Sequence, residues 1–156
     1  MLKVTRSRLV AAASGAVWDV VSDVGRLPDW LTPVEAAEIL EGDGADRVQR
    51  IHTHWGDRQS EIDQRVTEWE PPRRLAWVHE AERLDGRPAP RLARWTRFEI
   101  RLDARPGGIQ VTLESIQVSD SALKGLALRL AGRRRLAGAY ESSLQRLDEL
   151  VTASRV

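Results

Sequence analysis

The sequence predicts an α+β fold in which an antiparallel sheet is followed by one long C-terminal helix. Two observations lead to this prediction. Between about Ala36 and Gln117, short strand-like runs alternate with glycine- and proline-containing turns, which is typical of an antiparallel meander. After Val118 the apolar residues recur at helical spacing as far as Thr152.

The elements ahead of the meander are short. Residues 2–10 have a strand-like mixture of apolar and polar residues. Ser14 is a suitable N-cap for a helix that runs to Val21. Residues 26–31 predict a second, very short helix, with Pro28 in its first turn.

The meander contains six predicted strands. Their spans are 36–41, 47–55, 59–69, 73–82, 94–104 and 109–118. Together with residues 2–10 they make a seven-stranded antiparallel sheet.

The last helix, predicted over 122–152, has an apolar stripe that is not straight. One part is formed by Leu123, Leu126 and Leu130, and the other by Leu136, Tyr140, Leu144, Leu147 and Val151. At about 100° per residue, the second part is rotated from the first by roughly a fifth of a turn. Gly125, Gly132 and Gly138 lie in or beside the shift. Two interpretations stay open: a bend or close backbone contact, or volume left under the helix for a ligand.

Length and composition restrict the classes of function. With 156 residues, the chain is expected to form one domain over 1–156 with a substantial core. The net charge of +1 gives no reason to expect nucleic acid as a partner. No apolar run approaches the ~20 residues of a membrane span, so stable membrane insertion is not expected. The oligomeric state stays open, with a homodimer as one option.

The N-terminus only weakly resembles a signal peptide. Asp19 and Asp23 follow a short apolar run, and a strand leading into a helix explains the segment better. We therefore expect a cytoplasmic protein. The absence of cysteine excludes disulfides, zinc–thiolate sites and cysteine nucleophiles.

Several stretches resemble the START-related superfamily, in its bacterial cyclase-like branch. They are VWDVVSDV at 17–24 followed by LPDW at 27–30, ILEGDG at 39–44, and VTEWEPPRRL at 66–75. The order of the elements is similar along nearly the whole chain. The resemblance implies the helix-grip fold, a curved sheet wrapped around the C-terminal helix with an apolar ligand cavity between them. Members include polyketide cyclases/dehydrases, lipid-transfer domains and pollen-allergen-type proteins, and only some are enzymes, so the fold does not fix the function.

Alternate residues of each strand should face the cavity. Polar residues that interrupt apolar rows are then candidates for ligand contacts, as with Gln64 between Ile62 and Val66. In the next strand Ala81 is expected to flank His79 on the inner face. The predicted ligand-binding residues are Thr53, Trp55, Gln64, Trp77, Thr96, Phe98 and Ser115.

His79 and Tyr140 are the candidates for proton transfer. A histidine exchanges protons near neutral pH, and the phenol of Tyr140 can donate a hydrogen bond to a carbonyl. Ordinary core or rim positions are the alternative interpretation for both side chains.

Other polar clusters have simpler explanations. His52 and His54 share a strand face that points away from the cavity, and no third ligand is evident, so we expect no metal site. The run Arg133-Arg134-Arg135, with Arg129 nearby, fits a solvated helix face or a contact with an acidic partner or membrane headgroups. No phosphate-binding loop, dinucleotide fingerprint or nucleophile elbow is present, and no cofactor is expected.

The favoured hypothesis is a protein that binds a hydrophobic, carbonyl-containing small molecule and promotes polyketide-type cyclisation or dehydration. A non-catalytic carrier of lipid, isoprenoid or quinone is the first alternative, so the question of enzyme or carrier stays open. The second alternative is a protein-interaction module that uses the basic face of the last helix.

Overall fold

The computed structural model describes residues 1–89 and 93–153, without the side chains of Trp55, Leu128, Leu130 and Ala131. The strands are β1 (Leu2–Val10), β2 (Ala36–Glu41), β3 (Val48–Trp55), β4 (Arg58–Glu70), β5 (Arg74–Leu84), β6 (Arg87–Pro88), β7 (Trp95–Arg105) and β8 (Gly108–Val118). The helices are α1 (Ser14–Val21), α2 (Leu27–Trp30) and α3 (Ala122–Ala153), with a 3-10 turn at Val24–Arg26 just before α2.

All strand pairs are antiparallel, and the sheet has the order β1-β8-β7-β5-β4-β3-β2. β1 therefore joins the last strand of the meander and not its nearest neighbour in sequence. The helix α3 contacts β1, β8, α1 and α2. This is the helix-grip arrangement, and the predicted fold class is confirmed.

The predicted strands agree with the observed ones to within two residues at either end. Two details differ. The short strand β6, which pairs with β5, lies where a turn was predicted. The N-cap of α1 is Ala13 and not Ser14, because Ser14 is already helical. At α3, the hydroxyl of Ser121 accepts a hydrogen bond from the backbone N–H of Lys124 at 3.1 Å, which is a regular N-cap contact.

The core lies between the concave face of the sheet and the helices. The ring centroids of Trp18 in α1 and Trp69 in β4 are 5.3 Å apart, with one ring edge against the other face. Further along, the C-terminal half of α3 contributes Tyr140, Leu144 and Leu147, all buried. Burial of such apolar surface is the main favourable term in folding.

The convex face carries an ionic network. Glu99 in β7 is only 1% exposed, and its carboxylate lies 2.7 Å from Arg97, 2.9 Å from Arg101 and 3.3 Å from Arg74. Burial alone would raise the pKa of Glu99, but the hydrogen bonds from Arg101 and Arg97 outweigh it and lower the pKa below its usual value.

Gly108 permits the close approach of β8 to the end of β1. Its φ of +151° lies outside the range of most L-residues, and a Cβ there would be 2.1 Å from the carbonyl oxygen of Val10. Only glycine fits at this position without moving the backbone.

We expect Gly108→Ala to lower the free energy of unfolding by about 3 kcal/mol, because the backbone of β1 must shift away from the new methyl group. Gly15→Ala is the matched control, since a Cβ at Gly15 meets nothing within 4 Å. That change should stay within about 1 kcal/mol of the original protein. Urea unfolding measures both, and equal effects would contradict the close contact.

We expect Glu99→Gln to make the stability of the fold less dependent on pH in the acidic range. A lowered folded-state pKa stabilises the fold above the ordinary glutamate value of about 4.3, and this contribution is lost as the pH falls through the lowered value. The difference in melting temperature between the two proteins should therefore be largest near neutral pH and should shrink in acid. A constant difference at all pH values would contradict the assignment.

Candidate functional site

Three polar residues lie side by side on the concave face. Gln49 in β3 is opposite Gln64 in β4, and Gln64 is opposite His79 in β5. Both glutamines are at most 2% exposed, whereas one fifth of the His79 side chain is accessible. Their neighbours Ile51, Val66 and Trp77 are apolar, so the three residues form a polar band across an apolar surface.

A continuous chain of hydrogen bonds runs along this band. The guanidinium of Arg47 donates to Oε1 of Gln49 at 2.9 and 3.2 Å, and Nε2 of Gln49 donates to Oε1 of Gln64 at 2.8 Å. Nε2 of Gln64 lies 3.4 Å from Nε2 of His79, and Nδ1 of His79 lies 2.9 Å from Oε1 of Glu82.

The chemistry at its two ends fixes the direction of this chain. Arg47 can only donate, and an ionised Glu82 can only accept. Each amide therefore accepts from the Arg47 side and donates towards His79. His79 consequently receives a hydrogen bond at Nε2 and holds its proton on Nδ1, where it donates to the carboxylate of Glu82.

Arg47 was not predicted as a site residue, although it starts the chain. It is 3% exposed, donates to the carbonyl oxygen of Ser22 at 3.0 Å, and lies over the ring of Trp69 at 5.1 Å. Burial lowers its pKa, and the charges of Asp43 and Asp23 oppose this. Alternate residues of a strand share a face, and counting back by two from Ile51 through Gln49 reaches Arg47. This alternation could have predicted that Arg47 lies on the inner face.

A β-bulge in β5 brings Glu82 to the site. Between the pairs Gln64–His79 and Asp63–Ala81 the register shifts by one residue. Ala81 therefore pairs with Asp63 on the convex side, and the prediction that it flanks His79 on the inner face was wrong. Glu82 pairs with Ile62 instead and faces inward. The plain period of two could not reveal the extra residue.

Three aromatic rings line the concave face next to this band. The centroids of Trp77 and Phe98 are 5.0 Å apart, and those of Phe98 and Tyr140 are 5.6 Å apart. Ser115 is directly opposite Phe98 on β8. The structure thus brings together four of the predicted side chains around the middle of α3.

The hydroxyls of Tyr140 and Ser115 are both buried. Burial raises the pKa of Tyr140 well above its ordinary value, and the neighbouring Ser115 hydroxyl opposes this only in part. The contact between them falls short of a well-formed hydrogen bond, so Ser115 Oγ has no such partner among the described residues. Tyr140 therefore stays protonated at neutral pH and can donate, but it cannot serve as a base.

Open space lies at the end of the sheet marked by the pair Trp95–Val118. The pairing of β5 with β7 ends at Val78–Arg97. Beyond that pair lies a pocket of about 10 Å³, which is room for one water, and its lining includes His79 and Thr96. Next to α3 at the same end is an open, mainly polar pocket of about 590 Å³. It is lined by Met1, Ser119, Asp120, Ser121, Ala122, Gly125, Leu126 and Arg129.

The remaining predicted residues are less close to this arrangement. Thr53 is half-buried opposite Ser60 and takes no part in the hydrogen-bond chain. The side chain of Trp55 lies outside the described residues. His52 pairs with Glu38 and Glu61, and His54 with Glu35. Within residues 1–89 and 93–153, no group of three or more potential metal ligands is present.

Comparison with known proteins identifies the family. The family model described as polyketide cyclase/dehydrase and lipid transport matches residues 1–152. The chain belongs to this family. It is thus a helix-grip protein of a ligand-binding family, as the sequence motifs predicted. No curated protein matches the sequence.

Solved structures show the same fold at low sequence identity. TTHA0849 from Thermus thermophilus has a TM-score of 0.77 at 18% identity, over 99% of this chain and 100% of its own. The Zhui aromatase/cyclase from Streptomyces sp. R1128 has a TM-score of 0.75 at 19% identity, covering 97% of this chain and 93% of that one. Ara h 8.0201 has a TM-score of 0.67 at 11% identity, over 97% and 98% of the two chains. Among the described residues, no helix is long and apolar enough to cross a bilayer.

We expect Gln49→Leu to lower the free energy of unfolding by about 3 kcal/mol, because it removes one acceptor of the buried Arg47 guanidinium and the donor to Oε1 of Gln64. The triple change Arg47→Met/Gln49→Leu/Gln64→Leu removes the whole buried part of the chain and should recover most of that loss. Urea unfolding compares the two. If the triple variant lost as much stability as the three single variants lose in sum, the result would contradict the coupled chain.

Proposed function

We propose that the protein binds a hydrophobic, carbonyl-containing small molecule on the concave face, between the sheet and α3, and promotes its cyclisation with loss of water. The observation that carries this proposal is the hydrogen-bond chain from Arg47 to Glu82. Burying a guanidinium is costly, and here its hydrogen bonds lead across two strands to His79 and Glu82, the accessible members of the chain.

His79 is the proposed base. With its Nδ1 proton held by Glu82, the lone pair of Nε2 is available, and the contact from Gln64 at 3.4 Å is long enough to be given up to a substrate. Nε2 would take a proton from a carbon between two carbonyl groups. The resulting enolate carbon would then form a bond to a second carbonyl carbon of the same chain.

Tyr140 is the proposed donor to the carbonyl that is attacked. Because its phenol stays protonated, it can hydrogen-bond the oxygen on which negative charge develops. The buried hydroxyl of Ser115 offers a second donor beside it. His79 returns its proton to the new alkoxide, which gives an alcohol. Nε2 of His79 then removes the second α-proton and delivers it to the departing hydroxyl, so that water and a carbon–carbon double bond are produced.

The aromatic rings would hold the substrate. Trp77 and Phe98 are buried against each other and Tyr140. A folded carbon chain or a fused ring that displaces the side chains packed on these rings would contact their flat apolar faces. Positioning matters because two ends of one flexible chain must meet, and a preorganised wall removes much of the entropic barrier.

A non-catalytic carrier is the second candidate, and one observation favours it. The 590 Å³ pocket beside the first half of α3 is lined by neither His79 nor Tyr140. An apolar ligand held there would contact Leu126 and Met1 without meeting a proton donor of the proposed site.

The proposal predicts that His79→Ala slows cyclisation of linear poly-β-carbonyl mimics by about 10²–10⁴-fold, since it removes the base. Tyr140→Phe should slow it by about 10²–10³-fold, since it removes one oxyanion donor. His52→Ala, which removes an ion-paired histidine from the convex face, is the matched control and should leave the rate unchanged. Chromatography of the released compound is required, because cyclisation alone leaves the mass unchanged.

Each other outcome has a defined meaning. Unchanged turnover in both His79→Ala and Tyr140→Phe would refute these residue assignments. A bound compound released unaltered by the original protein would favour the carrier. A lack of binding by any mimic or by a lipophilic extract would refute the small-molecule function itself.

A further inference from the structure

The two parts of the apolar stripe on α3 have different surroundings. Tyr140 and Leu144 are buried against the protein, whereas Leu123 is 78% exposed and Leu126 is 52% exposed. Rotation of the stripe does not explain this difference, because Leu126 and Leu144 lie about five full turns apart and point in the same direction. Their surroundings differ, since Leu126 lines the open pocket at the end of the sheet. Leu123 and Leu126 thus form an exposed apolar strip on the first half of α3.

Positive charge surrounds this strip. Lys124, Arg129, Arg133, Arg134 and Arg135 lie in the same half of α3, and all are exposed. Between residues 119 and 136 the sequence has a single acidic residue, Asp120, 3.9 Å from Lys124. The whole chain has a net charge of only +1, so these cations are a local concentration.

The cations are arranged on both sides of the leucines. At about 100° per residue, Lys124 and Arg135 fall on one flank of the strip, and Arg129 and Arg133 fall on the other. A helix with exposed leucines between two basic flanks has the pattern of helices that lie in the plane of a membrane surface.

We propose that the first half of α3 docks on the surface of an anionic lipid bilayer. Leu123 and Leu126 would enter the boundary between headgroups and acyl chains, and the flanking cations would contact the anionic headgroups. A second copy of this chain is a poor occupant, because two such faces would bring like charges together. The docking does not depend on the proposed enzymatic function.

The position of the 590 Å³ pocket gives this docking a consequence. Leu126 and Arg129 belong both to the docking face and to the pocket lining. A docked molecule would therefore hold the pocket next to the bilayer. An apolar ligand could then pass between membrane and protein with little exposure to water, a step that rests on the proposed binding function.

The test is flotation of the full chain with phosphatidylcholine vesicles that contain or lack phosphatidylglycerol. We expect binding only to the anionic vesicles, and weaker binding as salt is raised. Arg133→Glu/Arg134→Glu/Arg135→Glu should reduce the partition coefficient by roughly 100-fold or more. Leu123→Ser/Leu126→Ser should reduce it by at least about tenfold.

A charge-matched control separates docking from net charge. Arg73→Glu/Arg87→Glu/Arg105→Glu reverses the same number of exposed arginines outside α3 and should retain most of the binding. Equal losses in the two triple variants would overturn the proposal, as would equal binding to neutral vesicles or no binding to anionic ones. Light scattering gives one more overturning result: a dimer of the original protein that Leu123→Ser/Leu126→Ser converts to a monomer would mean that the strip covers a second copy.

Discussion

The arrangement of the concave face depends on one buried cation. Arg47 has no acceptor capacity, so its burial requires acceptors, which are the Ser22 carbonyl and the Gln49 side chain. Once Gln49 accepts from Arg47, its own NH₂ group needs an acceptor, and the same requirement passes through Gln64 to His79. A single charge thereby orients side chains on three strands. Because every member is satisfied by the next, the band is compatible with an otherwise apolar surface.

The sequence predicted the elements well, because strand alternation and helical spacing are local properties of the chain. It also identified Gln64 and His79 as polar interruptions of apolar rows, which needs only the period of two. It could not show that the two side chains are linked, since this depends on the register between strands far apart in sequence. One bulged residue in β5 was enough to place Ala81 on the convex face and Glu82 on the concave face. Arg47 was missed because an arginine at the edge of a predicted strand usually faces solvent.

The helix α3 combines two roles in one element. Its C-terminal half is fixed by burial of Leu144, Leu147 and Val151, whereas residues 122–127 bury little. Moving residues 122–127 would expose little new apolar area and so cost little free energy, whereas moving the second half would disrupt the core. Of the three glycines in or beside the shift, Gly132 and Gly138 have no neighbour within 4 Å of an added Cβ, whereas a Cβ at Gly125 would lie 2.8 Å from the Ser119 hydroxyl oxygen. A close contact therefore explains Gly125 but not the other two.

This division separates ligand exchange from the buried polar chain. The open space lies at the end of the sheet where β8 ends and α3 begins, and the accessible members of the chain are His79 and Glu82. Arg47, Gln49 and Gln64 lie behind them, where their hydrogen bonds are protected from water and are correspondingly stronger. Under the proposed function, a ligand that enters at the open end would meet an oriented imidazole without disturbing the charge that orients it. The same geometry would serve catalysis and retention alike, so chemistry on the bound compound is the property that would separate an enzyme from a carrier.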